Sequence, residues 1–83
     1  MQKVGANPSI IAVILEGCLE NTGMNEIIDA SGMNFDIIEP YMASLMRSGL
    51  IEMVDMPTYK TTEKGLEALT HIRVLQDFIT NHG

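Results

Sequence analysis

Apolar residues recur every three or four positions along most of the chain, which is the spacing of one face of an α-helix. The first such stretch follows Asn7 and Pro8, a good capping residue and a residue whose fixed φ suits a first helical turn. We expect a helix over about residues 8–20, broken by residues 21–23. Residues 10–15 are rich in β-branched side chains, so that run alone is also compatible with a strand. The inner face of this helix would hold Ile10, Ile11, Ile14, Leu15, Cys18 and Leu19.

A second, short helix is expected over about residues 24–30, with Ile27 and Ile28 facing inward. It would stop at Ser31 and Gly32, because glycine readily adopts the left-handed conformation that follows many helices. Only a tight turn then separates this helix from the next one.

The third helix is predicted to begin after Asn34, whose side chain can cap it, and to end at Gly49. Met33 and Ile38 have the spacing of a hydrophobic staple across its start. Pro40 lies inside the helix and cannot donate the usual backbone hydrogen bond, so we expect a kink or a delayed start. The apolar stripe of this helix comprises Phe35, Ile38, Tyr41, Met42, Leu45 and Met46.

The period of the pattern shortens to about 2 residues after the third helix. Gly49 can end that helix with a positive φ, after which Ile51 returns to the core. Alternation over residues 51–56, a turn at Pro57–Thr58 and a second strand over residues 59–61 predict a small β-hairpin.

Thr62 is the expected cap of a last helix over about residues 63–80, with Glu63 at the positive end of the helix dipole. Gly65 lies in the first turn, where a missing side chain would let the helix approach neighbouring backbone closely. At about 18 residues, or ~27 Å, this helix is longer than a small core can cover. Its apolar stripe comprises Leu66, Leu69, Ile72, Leu75 and Ile79.

Length and charge narrow the class of protein. The 83 residues, 46% of them apolar, are enough for one domain, which we expect over residues 1–83. Eleven acidic side chains outnumber five basic ones for a net charge of −6, whereas small nucleic-acid binders are usually basic.

The longest uncharged apolar run, Ile10–Leu15, has six residues against the ~20 that span a bilayer, and no signal-peptide pattern opens the chain. We therefore expect a cytoplasmic protein with no membrane contact.

No pattern of catalytic or metal-binding residues stands out. Cys18 is the single cysteine and is expected to be a small core residue. His71 and His82 do not have the spacing of zinc ligands. No nucleophile with a base and no glycine-rich phosphate loop is recognisable. We expect no catalytic residues, no metal and no cofactor, and therefore no enzyme.

The order of the predicted elements is the most informative feature. Two short helices joined by a glycine-containing turn, followed by a two-stranded wing, are the parts of a winged helix-turn-helix domain. Over nearly its whole length the chain resembles the small archaeal winged helix-turn-helix transcriptional regulators. The segments that carry the resemblance are Ile27–Phe35, Tyr41–Ile51 and Tyr59–Leu69. Their most specific parts are Leu45-x-x-x-Gly49-Leu50-Ile51 and Thr62-Glu63-Lys64-Gly65.

The resemblance implies a mostly α fold with a small β-hairpin, in the order helix, helix, helix, hairpin, helix. It also implies double-stranded DNA as the partner of a transcriptional regulator or chromatin-associated factor, with the third helix in the major groove. Arg47 would bond guanine or phosphate, and Asn34 would bond adenine or phosphate. The positions assigned to DNA contact are Asn34, Asp36, Ile37, Ser44, Arg47 and Lys60.

The resemblance further implies a homodimer, because several archaeal winged-helix proteins pair their C-terminal helices in an antiparallel coiled coil. The interface residues would be Leu69, Ile72, Leu75, Phe78 and Ile79. The other interpretation folds the last helix wholly onto its own domain, helped by the first helix.

The local charge leaves a second function open. Residues 34–62 carry four acidic and two basic side chains, a net charge of −2 where DNA phosphates would approach. The alternative is therefore an acidic winged-helix module that binds a protein partner without direct DNA contact.

Overall fold

The computed structural model describes residues 8–82, which form four α-helices and a three-stranded antiparallel sheet. The helices are α1 (Pro8–Gly17), α2 (Met24–Ser31), α3 (Phe35–Arg47) and α4 (Glu63–His82). The strands are β1 (Thr22–Gly23), β2 (Ile51–Met53) and β3 (Thr58–Thr61), in the sheet order β1-β3-β2. The predicted order of three helices, a hairpin and a last helix is confirmed, and β1 is added to it.

The first helix is shorter than expected. It ends at Gly17 rather than near residue 20, because the chain turns there towards β1. The Thr22 hydroxyl donates a hydrogen bond of 2.6 Å to the carbonyl of Gly17 and so fixes this turn. Leu19, expected on the inner face of the helix, lies beyond its end and is exposed. The expected cap, Asn7, lies outside the described residues.

The turn between α2 and α3 forms as predicted. Gly32 has a left-handed φ of 71°, and its N–H donates to the carbonyl of Ile28 at 3.0 Å. Asn34 then caps α3, because its side-chain oxygen accepts a 3.2 Å hydrogen bond from the N–H of Ile37. The second and third helices are therefore joined by a turn of fixed geometry.

The third helix is regular at both ends. Of the kink or delayed start expected from Pro40, the delayed start is wrong, because α3 begins at Phe35, directly after the Asn34 cap, and continues through Pro40. At the other end Gly49 has a φ of 78°, as predicted. The N–H of Leu50 donates to the carbonyl of Leu45 at 2.9 Å, which completes a Schellman motif.

The predicted hairpin is present as β2 and β3. Ile51 lies opposite Thr61 and Glu52 opposite Lys60 in its register. Ile51 and Thr61 are buried, so Glu52 and Lys60 point to the outer face. The sequence does not predict β1, which pairs with the other edge of β3 and widens the hairpin into a sheet.

The hairpin of β2 and β3 is the wing of the domain, and it is attached to a core to which all four helices contribute. Thr61 donates from its hydroxyl to the carbonyl of Leu15 and from its backbone N–H to the carbonyl of Cys18, both at 2.8 Å. These bonds fasten β3 to the end of α1. The core consists of Ala12, Ile14, Leu15, Cys18, Ile27, Ile38, Met42, Leu45, Ile51 and Leu69.

The last helix starts in close contact with the segment before β2. Its predicted cap is confirmed, because the Thr62 hydroxyl accepts a 3.1 Å hydrogen bond from the N–H of Gly65 and donates to the carbonyl of Gly49 at 2.6 Å. A Cβ atom on Gly65 would overlap the carbonyl oxygen of Leu50 and the methyl group of Thr61. The close backbone approach predicted at Gly65 is therefore confirmed.

Candidate nucleic-acid interface

The third helix buries one face and leaves the opposite face open. Ile38, Met42 and Leu45 lie on the buried side. The exposed positions on the other side are Asp36, Glu39, Pro40, Ser44 and Arg47. Within residues 8–82 nothing covers these positions, so α3 can approach a second molecule with this face.

The N-terminal end of α3 is acidic and apolar. The side-chain oxygen of Asn34 is occupied by the N–H of Ile37, which leaves the Asn34 amide group as the donor for a base or a phosphate. Asp36 lies in the first turn. Phe35 is 52% exposed and Ile37 is 44% exposed, and apolar side chains in a major groove contact thymine methyl groups. This end therefore offers more apolar contact than phosphate binding.

The wing offers one cation. Lys60 is exposed on β3 and lies directly opposite Glu52 on β2. A carboxylate directly across the strand partly neutralises the charge that Lys60 presents to a phosphate. The turn beyond them exposes Asp55 and Met56, and Met56 is 80% accessible. The wing therefore presents a mixed surface and not a basic one.

Positive charge gathers at the C-terminal end of α3. Arg47 occupies the last turn and forms no ion pair among the described residues. The ammonium group of Lys64 donates to the carbonyl of Ser48 at 3.0 Å, so a second cation lies at the same end. Arg73, in contrast, is ion-paired with Glu16. Lys64 is not among the residues predicted to contact DNA, because the approach of α4 to the end of α3 leaves no local signal in the sequence.

The six residues predicted to contact DNA do not form one cluster. Asn34 and Arg47 lie at opposite ends of α3, ~20 Å apart at 1.5 Å per residue, and Lys60 lies on the wing. All six are exposed, including Asp36, Ile37 and Ser44 between them. Their contact with DNA stays a prediction.

The residues predicted to form a dimer interface divide into two groups. Leu69 is buried in the core of its own domain, and Ile72 packs against that core. Leu75, Phe78 and Ile79, in the second half of α4, are 61%, 59% and 65% exposed. The first half of α4 therefore covers its own domain, and the second half carries apolar side chains into solvent.

Cys18 is the remaining candidate for chemistry, and it lies in the core. Cys18 is buried as predicted, and burial raises the pKa of its thiol to about 11, so the reactive thiolate is scarce near neutral pH. In the described part of the chain, no group of three or more His, Cys, Asp and Glu side chains is placed to hold a metal ion. None of the described helices has the length and apolar character needed to span a membrane.

The fold agrees with the comparison to known proteins. A family model described as winged helix-turn-helix matches residues 7–80, and the chain belongs to that family. Among solved structures, the chain is similar to Sso10a-2, a DNA-binding protein from Sulfolobus solfataricus, with a TM-score of 0.83 and 25% sequence identity. The match covers 93% of this chain and 84% of that one, and it confirms the resemblance to small archaeal winged helix-turn-helix proteins. No curated protein sequence matches the chain.

Proposed function

We propose that this protein binds double-stranded DNA by placing α3 in the major groove and the wing against the sugar–phosphate backbone. The observation that carries the proposal is the uncovered outer face of α3, between a fixed turn and the wing of a winged helix-turn-helix fold. The similarity to Sso10a-2, a DNA-binding protein, supports the same class of partner. In this role the protein is a transcriptional regulator or a chromatin-associated factor.

Different side chains along α3 can contact different groups of the DNA. Arg47 can bond guanine or a phosphate, and the amide group of Asn34 can bond adenine or a phosphate. Ile37 can contact a thymine methyl group, and Asp36 can accept a hydrogen bond from the amino group of cytosine. Ser44 can bond either a base or the backbone. Because one copy has few cations, its phosphate contacts contribute little to the affinity for DNA. Pairing two copies would double these contacts and raise the affinity.

We therefore propose that the DNA-binding unit is a homodimer paired through the second halves of its α4 helices. Leu75 and Ile79 are four residues apart and both more than half exposed, so they lie on one face of the helix. Contiguous exposed apolar surface is a common mark of a protein contact. A second copy of α4 would cover these side chains and double the contacts to DNA.

Fluorescence anisotropy with a labelled duplex of mixed sequence tests the DNA-binding role. The wild-type protein should bind at ~50 mM salt and release the duplex as salt rises. Arg47→Ala should weaken binding by ~1–3 kcal/mol if Arg47 bonds a base edge, or several-fold if it bonds a phosphate. Arg73→Ala is the matched control, because Arg73 is held by Glu16 away from α3. Undiminished binding by Arg47→Ala would remove the role assigned to that residue.

A protein-binding role is the second candidate, and the exposed acidic groups favour it. Asp36 and Glu39 lie on the outer face of α3, and Asp55 lies at the wing tip. These carboxylates would attract a basic protein surface and repel DNA phosphates. If the wild-type chain failed to bind any duplex at ~50 mM salt, the same face would be assigned to a basic protein partner.

A further inference from the structure

The end of α3 and the start of α4 are joined by a short network of hydrogen bonds. The ammonium group of Lys64 donates to the carbonyl of Ser48 at 3.0 Å, and the Thr62 hydroxyl donates to the carbonyl of Gly49 at 2.6 Å. The backbone N–H of Thr62 donates to the carbonyl of Leu50 at 3.0 Å. These bonds hold the first turn of α4 against the residues that end α3.

Two cations share this junction. Arg47 is in the last turn of α3 and Lys64 in the first turn of α4, and both are exposed. An ammonium group has three donors, so Lys64 retains two after bonding Ser48. The guanidinium group of Arg47 forms no salt bridge within the described residues, so its donors are also available.

The other two described cations are placed next to carboxylates. Arg73 is ion-paired with Glu16, and Lys60 lies opposite Glu52 in the hairpin. Arg47 and Lys64 are the two described cations that the fold brings together at the C-terminal end of α3.

We infer that Arg47 and Lys64 form a phosphate anchor, which binds the DNA backbone beside the groove that receives α3. The inference rests on the proposed function and adds a residue of α4 to the interface. A phosphodiester matches both side chains, because the arginine fork bonds two oxygens and the lysine acts as a point charge. The bond to Ser48 restricts Lys64 before DNA arrives, which reduces the entropy lost on binding. The anchor sets the orientation of α3 and reads no sequence.

Lys64→Gln tests the anchor because it removes the charge and keeps a polar side chain. Affinity for two duplexes of unrelated sequence is measured between about 50 and 200 mM salt. Each lost phosphate contact lowers the slope of log affinity against log salt by ~0.9, so wild-type affinity should fall ~3-fold more than that of the variant across this range, per bound protomer. The loss should be equal on both duplexes, since a phosphate contact carries no sequence information.

Three controls separate an anchor from a structural role. Arg73→Gln makes the same change in net charge on the same helix, ~14 Å further along its axis, and should keep the wild-type slope. Lys64→Arg keeps the charge and should also keep that slope. Urea unfolding of Lys64→Gln measures the stability that is lost with the bond to Ser48. A loss of stability alone would leave the number of phosphate contacts, and therefore the salt slope, unchanged.

An unchanged salt slope in Lys64→Gln, together with normal DNA binding by the wild type, would overturn the anchor and leave the proposed function intact. An equal loss of slope in Arg73→Gln would also overturn it, because binding would then follow net charge alone. If the wild-type protein bound neither duplex, the proposed function would fail and the anchor with it.

Discussion

Gly65 is the residue at which two parts of the backbone come closest. A methyl group there would overlap the carbonyl oxygen of Leu50, a rigid backbone atom that cannot rotate aside as a side chain does. We expect Gly65→Ala to lower the free energy of unfolding by about 2 kcal/mol, because the overlap outweighs the ~1 kcal/mol that alanine gains as a helix former. Urea denaturation followed by circular dichroism measures the change.

Gly17→Ala is the matched control for this prediction. Gly17 ends α1, and a Cβ atom placed on it would meet nothing within 4 Å. Its φ lies outside the left-handed region, so alanine is not strained there. The control should be as stable as the wild type or slightly more stable. Equal stability of Gly65→Ala and Gly17→Ala would show that α4 can move away from Leu50 at little cost.

Cys18 gives the protein a pH dependence in the alkaline range. Burial raises the pKa of its thiol from 9.0 to about 11, so the unfolded chain loses this proton first as pH rises. The stabilisation is complete below pH 9.0 and is lost as pH rises through about 11. Over this interval the free energy of unfolding of the wild type should fall by on the order of 2 kcal/mol more than that of Cys18→Ala. Parallel pH profiles for the two proteins would contradict the burial of the thiol.

Single-residue features were the most predictable part of the fold. The caps at Asn34 and Thr62 and the left-handed glycines at positions 32 and 49 depend on neighbours within a few residues. Their signals are therefore contained in short stretches of sequence. The close approach at Gly65 was predictable as a type of contact, but its partner Leu50 was not, since the two are brought together by the hairpin.

At the level of the helix, the second half of α4 carries the prediction of a dimer. Leu75→Glu or Ile79→Glu would place a charge in the apolar contact between two α4 helices, where it loses its hydration. Each should weaken the dimer by about 2 kcal/mol or more, roughly 30-fold in its dissociation constant. Sedimentation equilibrium should then give the 9.1 kDa mass of one protomer, with unchanged helical content because both side chains are exposed in the single chain.

Leu66→Glu is the matched control on the same helix. Leu66 and Leu75 were expected in one apolar stripe, but Leu66 precedes Leu75 by nine residues, which is two and a half turns. The two side chains therefore point in opposite directions. Leu66 is also exposed, and its substitution should leave the dimer intact. Ile72 is less suitable as a test because it packs against the core of its own domain. A wild-type mass of 9.1 kDa at high concentration would contradict the dimer itself.

Elements with distant partners were the least predictable. β1 has two residues, and its pairing partner in β3 is more than thirty positions away, so no local pattern indicates it. The same pairing turns the chain after Gly17 and shortens α1. Lys64 was not predicted to lie at the DNA interface for the same reason: the hairpin between α3 and α4 brings it to Ser48. Local sequence patterns thus predict the helices, whereas long-range pairing determines which distant residues come together on one surface.

Over the whole molecule, negative charge is spread widely, whereas two of the few described cations lie close together. The net charge is −6, and Arg47 and Lys64 both lie at the C-terminal end of α3. Asp36 and Glu39 lie on the outer face of the same helix. DNA approaching this face must overcome their repulsion, whereas a basic protein would be attracted by them. Removing these charges therefore separates the two candidate functions.

The double variant Asp36→Asn with Glu39→Gln should bind a mixed-sequence duplex several-fold more tightly than the wild type at low salt. Two repulsive charges then no longer lie within the ~10 Å Debye length of a phosphate at 0.1 M salt. The control, Glu20→Gln with Asp77→Asn, makes the same change in net charge at exposed positions outside α3 and should gain less. An equal gain in both variants would mean that binding follows net charge and that α3 is not at the interface. Weaker duplex binding by the α3 variant would contradict net repulsion by these carboxylates, and it would agree with the hydrogen bond from cytosine assigned to Asp36.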